Sequence, residues 1–246
     1  MPKYEFLLHP HLHDPQAASD QPMPVSVDIA ELVIAGWAGR DPVAIQHHIA
    51  ELAELGVAPP STTPCFYRVG TALLTQAASV QMLGDDSGGE VECLLVAVAE
   101  GLLVTLASDH TDRRVEAYGV AVSKQVCAKP MGTDAWHYED VRAHWDQLVL
   151  RAWFVTAAPA DPAAPARRLY QEGPVSALLP PSELFARFAA DGKLPTGTAM
   201  FCGTLAAIGP IATMRSGDAL ELELHDPVLQ RSLRHRYAVA TLPVVA

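Results

Sequence analysis

The chain has 246 residues, half of them hydrophobic, enough to bury a full core as one large domain or one domain with a small subdomain. Its formal net charge of -11, with no basic run, excludes nucleic acid as the main partner, because phosphate binding needs a positive patch. No apolar run reaches about 18 residues free of charge, and the opening residues MPKYEFLLHP lack the apolar core and cleavage site of a signal peptide, so the expectation is a soluble, cytoplasmic protein with no membrane partner.

The first segment, YEFLLHPHLHD, alternates and predicts a strand, and PMPVSVDIAELVIAG predicts more strand after a polar connection. Residues 1–30 therefore read as N-terminal strands. His9, His11 and His13 alternate along the first, and a solvated edge explains them more simply than a metal tract. In GRDPVAIQHHIAELAELGVAPP an Asp in the N-cap position precedes a Pro, apolar residues recur at helical spacing (Ile45, Ile49, Leu52, Leu55), and Gly56 stops the pattern. This predicts a helix. His48 and Glu51 are neighbours on one of its faces, where the carboxylate could orient the imidazole as a base; two solvated side chains are the plainer alternative.

The segments PCFYRVGTALLTQ, SVQMLG and GEVECLLVAVAEG predict β-structure broken by turns, with DDSGG the plainest turn. Glu90 and Glu92 project from the same side of their strand, since strand side chains alternate faces, while Val91 and Cys93 point to the other. Two like charges on one face need water or a cation. The stretch LLVTLASDHTDRRVEAYGV predicts a strand ending in a polar loop at Asp109, whose carboxylate could be a third oxygen ligand. Three carboxylates with no nearby Cys suit Mg2+ or Mn2+ better than zinc.

Four cysteines, Cys65, Cys93, Cys127 and Cys202, form no CxxC pair and read as buried thiols. A Cys127–His110 hydrolase lacks any recognisable nucleophile context. EDVRAHWDQLVLR, residues 139–151, predicts a helix, RAWFVT a short strand, APADPAAPARR an exposed connection and PPSELFARFAADGK a helix. The remainder is strand-like, so many strands against few helices predict an α+β, mainly β fold.

Taken in order, HIAE, EVE, SDHTDRR, SKQ and PTGTAMFCGTLAAIGPI followed by SGDALELEL resemble the motifs of the fumarylacetoacetate hydrolase superfamily over about residues 31–230. That family's Glu-x-Glu is similar to Glu90 and Glu92, the Asp and Arg of its N-D-V-[ST]-A-R-D stretch to Asp109 and Arg113, and the lysine of its G-K-S-F loop to Lys124. Its His followed three residues later by Glu resembles His48 and Glu51. The departures are a shortened TLASD, Gln125 in place of the Phe after the lysine, and a missing Pro after Gly203 and Thr204, so the chain looks like a divergent branch.

The resemblance implies a single catalytic domain over 31–246, a mixed β-sheet roll with a few peripheral helices, and a homodimer. It implies Mg2+ or Mn2+ on Glu90, Glu92 and Asp109, with His48, Glu51 and Lys124 catalytic and Arg113, Gln125, Gly203 and Thr204 on a small carboxylic acid substrate. The implied reaction is on a 2-oxo or 1,3-dicarbonyl acid through a metal-bound enolate, most simply hydrolytic C–C cleavage of the acylpyruvate type. Decarboxylation, hydration or tautomerisation could use the same site. A protein that binds a small acid without catalysis is the alternative of another class.

Overall fold

The computed structural model describes residues 1–12, 21–54, 56–159 and 166–245, without the side chains of His48, Glu51 and Leu52. Two sheets dominate it. The larger has eight strands in the order Met23–Asp28, Lys3–Leu8, Asp134–His137, Gly101–Ser108, Val91–Val98, Thr198–Thr204, Glu31–Gly36 and Cys65–Val69. The smaller has five, Arg167–Pro174, Val149–Val155, Ala219–Asp226, Arg231–Leu242 and Ser79–Leu83. Both are mixed, as the parallel pairings of Thr198–Thr204 with Glu31–Gly36 and of Arg231–Leu242 with Ser79–Leu83 show.

The central strands of the larger sheet read as continuous apolar runs because both of their faces are covered. Val91, Cys93, Leu95 and Ala97 face a core shared with Leu150, Leu220, Leu222 and Tyr237 of the smaller sheet. Leu94 and Val96 face a second core with Phe6, Ile29, Ile34, Met131 and Phe201, formed where the larger sheet curls on itself. The result is the mainly β roll expected, with helices at its periphery. The N-terminal strands continue the larger sheet, Lys3–Leu8 pairing in parallel with Asp134–His137.

The longest helix, Pro42–Glu54, starts where the sequence predicts, with Asp41 Oδ1 accepting from Val43 N, and Gly56 beyond it has φ +85°. Pro181–Phe188 is likewise helical. Three expectations need correction. Residues 139–151 are not one helix: Tyr138–Arg142 and Trp145–Gln147 are short turns of helix, and Val149–Val155 is a strand whose burial alternates. Within DDSGG, Ser87–Gly88 pairs with Thr111–Asp112 rather than simply turning. The polar stretch after Ser108 is not simply a loop: Asp109, His110 and Thr111 are fully buried, Thr111–Asp112 pairs as a strand, and Arg113–Glu116 is helical. Of the alternating histidines, His9 and His11 lie beyond the first strand against Asp134 and Asp140, and His13 lies outside the described residues. Much of the Ala/Pro connection, residues 160–165, also lies outside them.

Candidate metal centre and its cavity

A hairpin builds the site. Val91–Val98 and Gly101–Ser108 pair antiparallel in a register that sets Val91 opposite Ser108 and Glu92 opposite Ala107. One step past the ladder, Asp109 N donates to Glu90 O at 3.0 Å, so Asp109 enters at the same end as the two glutamates. Ligand oxygens of Glu90, Glu92 and Asp109 lie within 4.8 Å of one another. Glu92 and Asp109 are buried, and Glu90 is partly so.

The approach to Glu90 has no room for side chains. A Cβ on Gly89 would lie 2.2 Å from Tyr237 Oη and 2.7 Å from Ser108 Oγ. Those two hydroxyls, 2.9 Å apart, belong to a buried chain in which His110 Nδ1 meets Tyr237 Oη and Nε2 meets Ser87 Oγ, each at 2.9 Å. Ser108 Oγ also accepts from Glu90 N. Gln171 ties the other side, accepting from Val91 N at 2.9 Å and donating to Thr204 Oγ1 and Leu205 O.

Three cations surround the carboxylates. Lys124, in the last turn of the helix Val120–Gln125, donates to Asp109 Oδ2. Lys129 Nζ lies 3.1 Å from Asp109 Oδ1 and donates to His110 O. Arg113 Nη2 donates to Glu90 Oε1 at 2.8 Å, and Nη1 faces Glu116. Burial pushes the Asp109 carboxyl up, but the two lysines outweigh it and hold it at about 2. Glu92 goes the other way: burial, then the charge of Asp109, raises it well above the carboxylate range, although Lys124 and the Gly203 N–H oppose this.

That combination fits a divalent ion. All three donors are hard oxygens, Asp109 Oδ1 has an ion-pair neighbour but no aligned hydrogen bond, and Glu92 lacks a direct cationic partner among the described residues. A cation between the three would remove the cost of ionising Glu92.

The other expected site residues divide. Arg113, Lys124 and Thr204 line the cavity beside Glu90. Gly203, at φ +96° with a Cβ position 2.9 Å from Ala38 Cβ, turns its N–H onto Glu92 Oε2 at 2.7 Å. That N–H therefore fixes a carboxylate of the cluster, where the sequence reading aimed it at substrate. Thr204 Oγ1 donates to Val91 O. Gln125 is not brought to the site: it is exposed, bonded to Gly70 N, and absent from the cavity wall. His48 and Glu51 lie on Pro42–Glu54, whose first turn borders the cavity through Ala44 and Ile45, but their side chains fall outside the described residues.

Sequence reasoning missed Lys129, Glu116, Tyr67 and Trp37. A lone Lys inside the apolar stretch VCAKPM was the available signal for a buried, paired charge. Tyr67 and Trp37, whose Nε1 donates to Tyr67 Oη at 3.0 Å, read as ordinary strand aromatics. Burial pushes the Tyr67 hydroxyl up to about 12, so it keeps its proton.

No curated protein sequence matches the chain. Among solved structures, a 2-keto-3-deoxyarabinonate dehydratase superposes with a TM-score of 0.61 at 18% identity, over 91% of this chain and 78% of that one. The dehydratase complexed with magnesium and 2,5-dioxopentanoate superposes at 0.59 and 16% identity, over 91% and 76%. A 5-carboxymethyl-2-hydroxymuconate delta-isomerase from Mycobacterium smegmatis superposes at 0.60 and 15% identity, over 91% and 81%. These structures are members of the fumarylacetoacetate hydrolase superfamily, and the shared architecture is the mainly β roll described above. The chain has the fumarylacetoacetate hydrolase superfamily fold, and with residues 35–237 matching the family model described as protein of unknown function (DUF2848), it belongs to that family.

Proposed function

We propose that the protein is a metal-dependent enzyme acting on a 2-oxo or 1,3-dicarbonyl acid through an enolate, with hydrolytic C–C cleavage as the reaction. The observation that carries this reading is the convergence of Glu90, Glu92 and Asp109 within 4.8 Å, with Lys124 on Asp109 and with Glu90 and Lys124 at the wall of a cavity. The magnesium and 2,5-dioxopentanoate complex of a structural neighbour agrees in ligand class.

Glu90, Glu92 and Asp109 would hold Mg2+ or Mn2+, which supplies Lewis-acid stabilisation of negative charge developing on the 2-oxo group. Lys124 would donate to that same oxygen, its ammonium favoured despite burial by Asp109 and Glu90. Arg113 keeps Glu90 aimed inward, and Gly203 N–H does the same for Glu92. His48, oriented by Glu51, would take a proton from the attacking water. The substrate is a small carboxylic acid in a protein that acts as a homodimer, without nucleic acid or membrane as partner.

Glu92→Gln should abolish Mg2+-dependent cleavage of a 2,4-dioxo acid while leaving the fold intact, as judged by circular dichroism. Full turnover by this variant after chelation and Mg2+ re-addition would refute the metal assignment. His48→Ala should stop cleavage yet retain exchange of the substrate C3 protons with D2O. Loss of both would place the base elsewhere. A second reading, dehydration or isomerisation through the same enolate, is favoured by the dehydratase and isomerase among the structural neighbours; it predicts turnover of a 2-oxo acid without C–C cleavage.

A further inference from the structure

The cavity beside the carboxylates has a volume of about 760 Å3, more than a reacting 2-oxo acid head requires. Beyond Lys124 its wall turns apolar. The Tyr67 ring lies 5.8 Å from Lys124 Nζ and covers Gly36, where a Cβ would come within 2.6 Å of the ring. Trp37 comes next, held at φ 58°, a left-handed conformation rare for a bulky side chain, and anchored by its hydrogen bond to Tyr67. Ile45, Leu205 and Ile211 complete this end.

Each cation of the cavity already has a carboxylate partner. Among the described lining residues they are Arg40, Arg113 and Lys124. Arg113 is taken by Glu90 and Glu116, and Lys124 by Asp109. Arg40 is clamped bidentately by Asp146, at 2.8 and 2.7 Å, while its Nε donates to Leu178 O. Asp41 at the rim adds a negative charge. A second carboxylate at the far end of a substrate would meet no described lining cation that lacks a carboxylate partner, and burying it unpaired is costly.

We infer that the site takes a 2-oxo acid with a single carboxylate and an apolar distal group, seated against Trp37, Ile45 and Leu205, and that Trp37 is a specificity-determining residue. This rests on the 2-oxo acid reading above. The Trp37–Tyr67 hydrogen bond fixes an aromatic face where the tail leaves the reacting head, and its strained backbone holds the indole in the cavity wall. A polar or dicarboxylic acid would leave that face unused.

The test is isothermal titration of the full chain in Mg2+ with oxalate, 2-oxohexanoate and 2-oxoadipate, the last two equal in length and differing in the distal carboxylate. The wild type should bind 2-oxohexanoate at least about tenfold more tightly than 2-oxoadipate. Trp37→Ala should lose about tenfold on 2-oxohexanoate and keep its oxalate affinity. Ile45→Lys, on the outer helix, should narrow or reverse the preference by supplying a distal cation, which keeps the test open if Trp37→Ala fails to fold. Equal or tighter wild-type binding of 2-oxoadipate would overturn the inference, as would a Trp37→Ala variant that weakens oxalate and 2-oxohexanoate alike. Failure of oxalate to bind at all would instead bring down the 2-oxo acid reading on which it stands.

Discussion

Lys129 is fully buried, with Nζ between Asp109 Oδ1 and His110 O. Burial lowers its affinity for a proton, and Asp109 opposes that. Removing one partner of a buried ion pair costs about 3–5 kcal/mol when the other is left uncompensated, and this is an upper bound here because Asp109 would keep Lys124. Lys129→Met should therefore lower the urea midpoint well beyond what an exposed lysine would. A midpoint within error of wild type would show that the pair contributes little. His110 beside it is held neutral: burial, then the charges of Lys129 and Arg113, drive its pKa down to about 3. In the unfolded chain it titrates near the ordinary value of about 6.5. The unfolded state thus binds the extra proton between those values, so this stability is complete above about pH 6.5 and is lost as pH falls towards 3. Urea midpoints between pH 7.5 and 5 should fall for the wild type and fall less steeply for His110→Gln, which removes the titrating ring. Identical slopes would place the acid sensitivity elsewhere. The burial of His110 was not legible, because SDHTDR reads as a polar loop until the fold encloses it, and Lys129 was marked only by its place in the apolar stretch VCAKPM.

At the scale of elements, the site belongs to the hairpin Val91–Val98 and Gly101–Ser108, and to what pins its open end. The alternation of Glu90 and Glu92 and the apolar run behind them are visible in GGEVECLLVAVAEG, so the carboxylate face was legible from one strand. The two glycines before it were legible only as a turn. Gly89 passes so close to Tyr237 Oη and Ser108 Oγ that Gly89→Ala should push the strand entry aside and weaken Mg2+ binding, read by calorimetry, while the melting temperature drops by only a few degrees. Unchanged Mg2+ affinity would mean that Glu90 tolerates the shift. The segment 139–151 misled because its polar residues suit a helix, whereas VLRAWFV finds strand partners on both sides, Arg167–Pro174 and Ala219–Asp226. Tertiary pairing overrides local propensity there.

Across the whole molecule, the order of chemical motifs carried the fold further than secondary-structure reading did. The motifs HIAE, EVE, SDHTDR and SKQ are spread over three supports, and only the roll brings the last three to one cavity edge. The cavity's selectivity was not legible, because Trp37, Ile45 and Leu205 are far apart in sequence and each is an unremarkable apolar residue alone. No helix among the described residues is long and apolar enough to cross a membrane. The two cores anchor the glutamate strand from both faces, and a bound ion should raise the melting temperature by mass action. Because Glu92 is held above the carboxylate range, protons compete with that ion, and affinity should rise with pH until Glu92 is ionised.

The most direct measurement is anomalous diffraction from crystals soaked in Mn2+, for the wild type and Glu92→Gln. The account predicts one Mn2+ per chain between Glu90, Glu92 and Asp109 in the wild type, and its loss or strong depletion in the variant. A wild-type site with no anomalous peak there, or a peak undiminished in Glu92→Gln, would contradict it.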